Sequence, residues 1–279
     1  MKFSVFTVMM PEYSPEETAS ILGKMGFDGV EWRVEKFAER RGEKASYWGY
    51  NRSTLDLGSI FEKAPEVKSL ADRNGLEVCC LATYLGVDQQ REIAKVAKAA
   101  SIMECPCIRV GAPRYDGTVD YNRLYAETVR NVKEVEGIAK ENGVAALLEI
   151  HMGNIMPSAG LAHRIVSNFD PEHVGVIYDP GNMVYEGYEQ WKMGMELLGK
   201  YLRHVHVKNS AWLKDSRGKW KAESAKLDEG IVDWEQVMSN LRAVGYRGYL
   251  SLEDFSEQDT ASKLKMDLEY LRKIQARLK

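Results

Sequence analysis

Short apolar segments alternate with longer amphipathic segments along the whole chain. The short segments are rich in β-branched and aromatic residues, which is typical of buried strands. They cover residues 3–8, 29–33, 76–82, 107–111, 144–150, 174–178, 203–208 and 248–253. Eight strands separated by helical patterns predict a parallel α/β sheet, and their number predicts closure into a single (β/α)8 TIM barrel.

Capping residues and periodic apolar positions predict the helices between these strands. Ser14, Pro15 and Glu17 combine an N-cap, a proline at the first helical position and a capping-box glutamate, so we expect a helix that ends near Gly26. Further helices are predicted within 58–74, 118–142, 233–245 and 260–278. Among these, the segment that contains Pro65 is the least regular, because proline disrupts a helix interior.

Two of the predicted strand-to-helix connections are long, and they span about 35–57 and 209–232. Long loops in a compact domain usually carry function, and in a barrel both lie on the face where active sites are built. The sequence contains no linker, no low-complexity stretch and no block of like charge. We therefore expect one barrel domain over residues 1–279.

Charge and hydropathy narrow the range of partners. Lys and Arg number 38 against 41 Asp and Glu, so the net charge of −3 provides no general attraction to nucleic acid or to an anionic membrane. No apolar run approaches the ~20 residues of a membrane helix. Pro11 and Glu12 follow the first apolar run, which favours a strand over a secretion signal. We expect a small-molecule partner, no nucleic acid and no membrane, and a homo-oligomer remains open.

The cysteines favour a reducing compartment. Their spacing matches neither a zinc site nor the disulfide framework of a small secreted domain. The four cysteines are Cys79, Cys80, Cys105 and Cys107. We therefore expect buried, reduced thiols in a cytoplasmic protein.

Metal-type ligands recur at the ends of four consecutive predicted strands, the fifth to the eighth. They are Glu149, Asp179, His206 and Glu253, at intervals of 30, 27 and 47 residues. One βα unit takes ~30 residues, so the first two intervals equal one unit and the third adds a long loop. The ends of barrel strands share one rim, so we expect these side chains to converge there. Three carboxylates and one imidazole suit a divalent ion such as manganese, magnesium, cobalt or zinc.

The seventh strand carries polar residues on one face. In the segment RHVHVKNS, residues 203–210, alternation places His204, His206 and Lys208 on the same side. His206 lies level with the other ligands, whereas His204 lies ~6.6 Å deeper along the strand, too far to share the ion. We expect His204 to support the site from behind or to belong to the barrel core, and Lys208 to lie above it at the level of a substrate.

Several segments resemble the xylose isomerase-like barrel superfamily, which contains sugar isomerases and epimerases, inosose dehydratases and AP endonuclease IV. They are FDGVEWR, LLEIHMGN, VIYDPGN, RHVHVKN and LDEGIVDWEQVMSNLRAVGYRGYLSLE, and they follow the superfamily order along essentially the whole chain. The resemblance implies that the four strand-end ligands hold one divalent metal, often manganese. In the epimerase branch, the residues that match Glu149 and Glu253 also serve as acid and base.

The resemblance implies a metal-dependent isomerase or epimerase of a sugar or sugar phosphate. Such a reaction removes a proton next to a carbonyl, and a metal stabilises the enediolate that forms. Two carboxylates on opposite faces of the substrate can exchange protons with it. Further side chains at or near the mouth are candidates for substrate binding, with a structural role as the alternative for each. They are His151, Asn182, Lys208, Glu31, Arg109 and Trp212.

Three other classes of function remain open. The closest is a lyase of the inosose dehydratase type, because His151, Met152 and Gly153 resemble a histidine-rich stretch of that branch, and Asn182 replaces the histidine usual in epimerases. A sugar-binding protein without catalysis agrees less well with an intact ligand set. An AP endonuclease needs three zinc ions, which the chain supplies poorly, since strands two to four contain no histidine.

Overall fold

Eight parallel strands close into a barrel in a computed structural model of the protein, which describes residues 1–37 and 42–278. The barrel strands are β1 (Lys2–Phe6), β2 (Gly29–Glu35), β4 (Glu77–Gly86), β5 (Cys107–Gly111), β6 (Ala145–Glu149), β7 (Val174–Tyr178), β8 (Leu202–Val207) and β11 (Tyr249–Leu252). β1 pairs with both β2 and β11, which closes the ring. The short β3 (Leu55–Asp56) pairs with the end of β2. The predicted (β/α)8 barrel is confirmed.

Helices follow the strands around the outside of the barrel. They are α1 (Pro15–Met25), α2 (Ile60–Arg73), α3 (Gln90–Ile102), α4 (Tyr121–Glu141), α5 (Ala159–Val166), α6 (Pro180–Met183), α7 (Trp191–Leu198), α8 (Trp234–Ala243) and α9 (Thr260–Arg277). The capping box of Ser14 and Glu17 is formed, and Gly26 ends α1 in the left-handed conformation. α2 continues through Pro65. No helix within the described residues is both long and apolar enough to cross a membrane.

The connection over 209–232 contains regular structure that the sequence did not predict. β9 (Asn209–Lys214) and β10 (Trp220–Ala225) form an antiparallel hairpin of their own. Most of its side chains are exposed, so it lacks the alternation of apolar and polar residues that marks a half-buried strand. Part of the other long connection, residues 38–41, lies outside the described residues.

Strand alternation separates the core from the lumen. Outward-facing residues such as Val205 and Val207 join the main core beneath the helices. Inward-facing residues of lower strand positions form a small apolar cluster inside the barrel. This cluster contains Cys80, Cys107, Ala145, Leu147 and Ile177. The same parity carries the inner face of β6 from Ala145 through Leu147 to Glu149, so polar side chains lie above an apolar floor.

Candidate active site

The four predicted ligands meet at the C-terminal mouth of the barrel. Glu149 ends β6, Asp179 follows β7 as the N-cap of α6, His206 lies in β8, and Glu253 follows β11. All four side chains are buried, and one donor atom from each lies within 4.8 Å of the others. The alignment of strand ends that the sequence suggested is therefore present in the structure.

The spacing of these donor atoms fits a single ion. His206 Nδ1 lies 2.9 Å from Glu149 Oε1, 3.5 Å from Glu253 Oε2 and 3.7 Å from Asp179 Oδ2. Donor atoms that share an ion at ~2.1 Å lie roughly 3.0–3.5 Å apart. Carboxylate and imidazole donors suit several divalent metals, so the donor set and its geometry agree with one metal site.

Two permanent cations contact the same carboxylates. Arg109 Nη1 lies 2.9 Å from Glu149 Oε2, and its Nε donates to the carbonyl oxygen of Thr83 at 3.1 Å. Lys208 Nζ lies 2.8 Å from Asp179 Oδ2 and also forms an ion pair with Glu253. Both cations are at least nine-tenths buried. Arg109 and Lys208 were both predicted to bind substrate, and each also holds at least one predicted metal ligand in place.

Burial and charge shift the pKa values of the cluster in different directions. Burial alone would raise the pKa of Glu149, but Arg109 and His206 outweigh it and hold this pKa well below its usual range. Burial raises the pKa of Glu253 above its usual value, against the opposing charges of Lys208 and His206. Burial would lower the pKa of His206, whereas the surrounding carboxylates raise it well above its usual value. The cluster therefore favours additional positive charge.

Asn182 joins two of the ligands. Its Nδ2 donates to Asp179 Oδ2 at 2.9 Å, to Glu149 Oε1 at 3.2 Å and to the carbonyl oxygen of Ile150 at 3.1 Å. Its backbone N–H donates to Asp179 Oδ1. Asn182 Oδ1 has no hydrogen-bond partner within the described part of the chain. This oxygen is therefore a buried acceptor without a donor among those residues.

Glu31 lies beneath the cavity, away from its walls. The residue is fully buried, with Oε2 2.8 Å from His204 Nε2 and Oε1 3.0 Å from His206 Nε2. Burial would raise its pKa, but the charges of His206 and His204 hold that pKa well below its usual range. Phe6 stacks on the His206 ring with centroids 5.6 Å apart. The structure therefore gives Glu31 two imidazole partners and no path to a substrate.

A cavity of about 550 Å³ opens directly above the cluster. Glu149, Lys208, Asn182 and Glu253 lie at its base, and the half-buried His151 lies on its wall. Both long connections contribute to the walls, as predicted from the sequence. Their contributions are Trp48 from the first connection, and Ser210 and Ser224 from the second. Trp212 does not line this cavity, and its Nε1 donates instead to the carbonyl oxygen of Val184 at 2.8 Å.

Tyr84, Arg114 and Phe255 are among the residues of the cavity wall that sequence reasoning missed. The Arg109 guanidinium lies 4.7 Å from the centre of the Tyr84 ring, and Trp48 packs 5.0 Å from Phe255. Tyr84 lies beyond residue 82, where the predicted strand ended, because β4 continues to Gly86. Phe255 follows Glu253 by two positions, and shared strand parity is the signal that could have identified it.

Known proteins resemble this chain in sequence and in fold. The family model described as xylose isomerase-like TIM barrel matches residues 19–274. An inosose dehydratase of Geobacillus thermodenitrificans is 27% identical over 137 residues, which is 44% of this chain and 44% of that protein. The chain thus spans about half the length of the curated relatives it matches.

Two solved structures share the fold over nearly the whole chain. The apo form of 3-keto-D-glucoside 4-epimerase from E. coli is 19% identical, covers 98% of this chain and 99% of its own, and has a TM-score of 0.75. A xylose isomerase-like TIM barrel protein from Mycobacterium smegmatis in complex with magnesium is 15% identical, covers 99% and 97%, and also has a TM-score of 0.75. At these identities the likeness shows the fold alone.

Proposed function

The chain belongs to the xylose isomerase-like TIM barrel family, and from this premise we propose that it is a divalent-metal-dependent isomerase or epimerase. The substrate class that we propose is a sugar or sugar phosphate. Manganese is the ion we propose, with magnesium, cobalt and zinc as the competing ions. Glu149, Asp179, His206 and Glu253 would hold it, and their donor atoms already lie close enough to share one ion.

The excess of buried negative charge is the observation that carries the proposal. Four carboxylates, of Glu31 and the three acidic ligands, are buried around one imidazole. Among the contacts described, two permanent cations, Arg109 and Lys208, face them, which leaves two negative charges when His206 is in the neutral form that binds a metal. Buried charge without a partner is costly, and the remaining charge equals that of one divalent ion.

The positions of Glu149 and Glu253 suit proton transfer at carbon. They extend from β6 and β11, which are separated in the ring by β7 and β8, so a substrate above the cluster can lie between them. Arg109 fixes the first carboxylate and Lys208 fixes the second. We propose that one glutamate removes the proton next to the substrate carbonyl and the other returns a proton. A divalent ion at the cluster would supply Lewis-acid polarisation of that carbonyl.

The cavity walls support a carbohydrate substrate. Trp48, Tyr84 and Phe255 present aromatic surface that can pack on the C–H faces of a sugar ring. His151, Asn182 and Lys208 line the same cavity and are placed to bind its hydroxyl groups. Arg114 adds a third cation to the lining, beside Arg109 and Lys208, which is compatible with a phosphorylated sugar.

A lyase of the dehydratase type is the second candidate. Curated inosose dehydratases are among the relatives of the chain, and His151 lies on the cavity wall two residues after Glu149. Its Nδ1 lies 2.7 Å from the carbonyl oxygen of Met152, which leaves Nε2 for a substrate. A dehydratase begins with the same proton removal and then expels a β-hydroxyl as water, and in this role His151 would protonate the departing oxygen.

Solvent exchange separates these activities. The protein is incubated with manganese in D2O and a panel of ketoses, inososes and 3-keto sugars, and deuterium at carbon is read by mass spectrometry and NMR. Exchange without net dehydration is the expected result for an isomerase or epimerase. Loss of water assigns the lyase. Tight sugar binding with neither exchange nor dehydration overturns the enzymatic proposal.

Glu149→Gln and Glu253→Gln test the two proton-transfer groups. Each change keeps the side-chain shape but removes a base, so we expect a loss of kcat on the order of 10²–10⁴-fold with the fold intact. Glu136→Gln is the matched control, because Glu136 is a mostly buried carboxylate on α4, paired with Lys133 outside the cavity. Steady-state kinetics and circular dichroism are the measurements. A kcat near that of the wild type in either variant contradicts the assignment.

A further inference from the structure

We propose that Glu31 is a positioning residue, which holds His206 in the tautomer and orientation that direct Nδ1 at the metal. His204 in turn holds Glu31. This inference rests on the proposed metal-dependent function, because it concerns how one ligand of that metal is prepared. For Glu31, it favours the structural alternative over the substrate contact for which the residue was also a candidate.

Both oxygens of the Glu31 carboxylate are used within the barrel. Oε1 lies 3.0 Å from His206 Nε2, and Oε2 lies 2.8 Å from His204 Nε2. The residue has no exposed surface. A carboxylate only accepts hydrogen bonds, so each imidazole donates from Nε2. The side chain therefore has no oxygen left for a substrate.

This arrangement determines the state of the other ring nitrogen of His206. A metal binds a neutral imidazole and displaces any second proton, so with one proton held on Nε2 by Glu31 the lone pair lies on Nδ1. Nδ1 is the atom that lies closest to the three acidic ligands, 2.9 Å from Glu149 Oε1 and 3.5 Å from Glu253 Oε2. A histidine ligand commonly donates its second N–H to a carboxylate, which fixes both tautomer and ring orientation.

The stacking contact of the His206 ring cannot make this selection. Phe6 stacks on the ring at an interplanar angle of 17° and so restrains its plane. Stacking depends little on which nitrogen carries the proton or on a half-turn of the ring about its bond to the chain. The carboxylate distinguishes these states, because only one of them places an N–H opposite Glu31 Oε1.

His204 completes the arrangement by occupying the second oxygen. Its ring is 2% exposed and packs edge-on against His206, with centroids 5.6 Å apart. Without this partner, Oε2 would be a buried acceptor with no donor, and the carboxylate could rotate away from His206. The two histidines of the β8 strand therefore have different roles, which explains why both are compatible with the barrel interior.

The first test is metal affinity in Glu31→Gln. Glutamine has the same shape, but its amide offers one acceptor and one donor, so it cannot accept from both imidazoles. We expect manganese affinity, measured from the EPR signal of free Mn²⁺, to fall 10–100-fold. Glu136→Gln, which removes a mostly buried carboxylate away from the site, should bind manganese as the wild type does. Binding by Glu31→Gln within twofold of the wild type overturns the inference.

The second test reads the tautomer directly in the wild type and so does not depend on a variant that folds. Histidine-selective ¹⁵N NMR of the magnesium-loaded protein should show His206 with a proton on Nε2 and none on Nδ1. A proton on His206 Nδ1 in that state overturns the inference. A merely structural role for Glu31 would lower stability in Glu31→Gln while leaving the His206 signals unchanged, and that result also overturns it. A wild-type protein that binds no divalent ion contradicts the proposed function itself.

Discussion

Buried charges of opposite sign lie in contact with one another in the mouth of the barrel. Lys208 lies between Asp179 and Glu253, and Arg109 contacts Glu149 while its guanidinium lies 5.0 Å from the centre of the Phe6 ring. Removal of one member of a buried pair leaves an uncompensated charge and typically costs several kcal/mol. Variants at these positions therefore need a stability measurement beside any loss of activity.

Asp267 on α9 gives a pH-dependent prediction away from the site. Burial, and next the charge of Asp254, raise the pKa of Asp267 to about 8. Folding then favours the protonated form, so stability present at low pH is lost as the pH rises from ~4 to ~8. Asp267→Asn removes this loss, because an amide can donate to Asp254 as the protonated acid does. We expect the variant to be more stable than the wild type by about 1–2 kcal/mol at pH 8.

Urea unfolding at pH 4.5 and pH 8 measures this effect. The gain in the free energy of unfolding of Asp267→Asn should be larger at pH 8 than at pH 4.5. An equal gain at both values would show that the side chain does not change its protonation on folding. Asp267 Oδ2 is buried and has no hydrogen-bond partner within the described residues, as expected where the charged form of the carboxyl group is disfavoured.

The candidate metal ligands were predictable from the sequence, whereas the contacts of Glu31 that hold one of them in place were not. Glu149, Asp179 and Glu253 lie at or just after strand ends, and strand counting alone aligns such positions. Glu31 lies on β2, the second strand, and from the sequence it was a candidate either for substrate contact or for a structural role. Its two contacts with β8 depend on which side chains meet across the lumen, and periodicity carries no information about that.

The hairpin of β9 and β10 is the part of the barrel mouth that differs most from the loop predicted there. Asn209 fixes its base: Nδ2 donates to the carbonyl oxygens of Leu227 and Val232 at 2.8 and 2.9 Å, and Oδ1 accepts from the N–H groups of Ser210 and Val232. Gly230 lies against this side chain, and a Cβ there would lie 2.1 Å from Asn209 Oδ1. These contacts hold the base of the hairpin against the segment that leads into α8.

Asn209→Ala tests this connection. It removes four hydrogen bonds at a buried position, so we expect a loss of about 2–4 kcal/mol in the free energy of unfolding. Asn122→Ala on α4, at an exposed position, should change stability by about 0.5 kcal/mol or less. Urea unfolding measures both, and limited trypsin digestion should cleave the Lys- and Arg-rich hairpin faster in Asn209→Ala. Equal digestion rates would count against this role for Asn209.

Elements with an apolar face were predictable, and those without one were not. The ends of the barrel strands agree with the sequence within two residues except at β4, which runs four residues further. The hairpin was missed because residues such as Lys214, Trp220 and Lys221 are exposed. Pro65 weakened the prediction of α2, yet the helix forms because its residues Ile60, Ala64, Val67 and Ala71 are buried. Tertiary burial outweighed local propensity there.

The whole barrel should become more stable when a metal binds. A ligand that binds only the folded state stabilises it by about 2.7 kcal/mol at 100 times its Kd. Manganese should therefore raise the thermal midpoint by roughly 5 °C or more, and EDTA should reverse the shift. Glu253→Gln, which removes one charged donor, should show a smaller shift at the same manganese concentration. Differential scanning fluorimetry with and without metal measures this, and an unchanged wild-type midpoint would speak against a specific site.

The hydrogen bond between Glu31 and His206 joins residues 175 positions apart in the chain. Contacts so distant in sequence carry a large loop-closure entropy and form only with the global topology. Glu253 follows β11, the last strand to be synthesised, whose pairing with β1 and β8 closes the ring. A partly synthesised or misfolded chain therefore lacks both the full donor set and its support. On the proposed function, metal retention therefore reports that the barrel has closed.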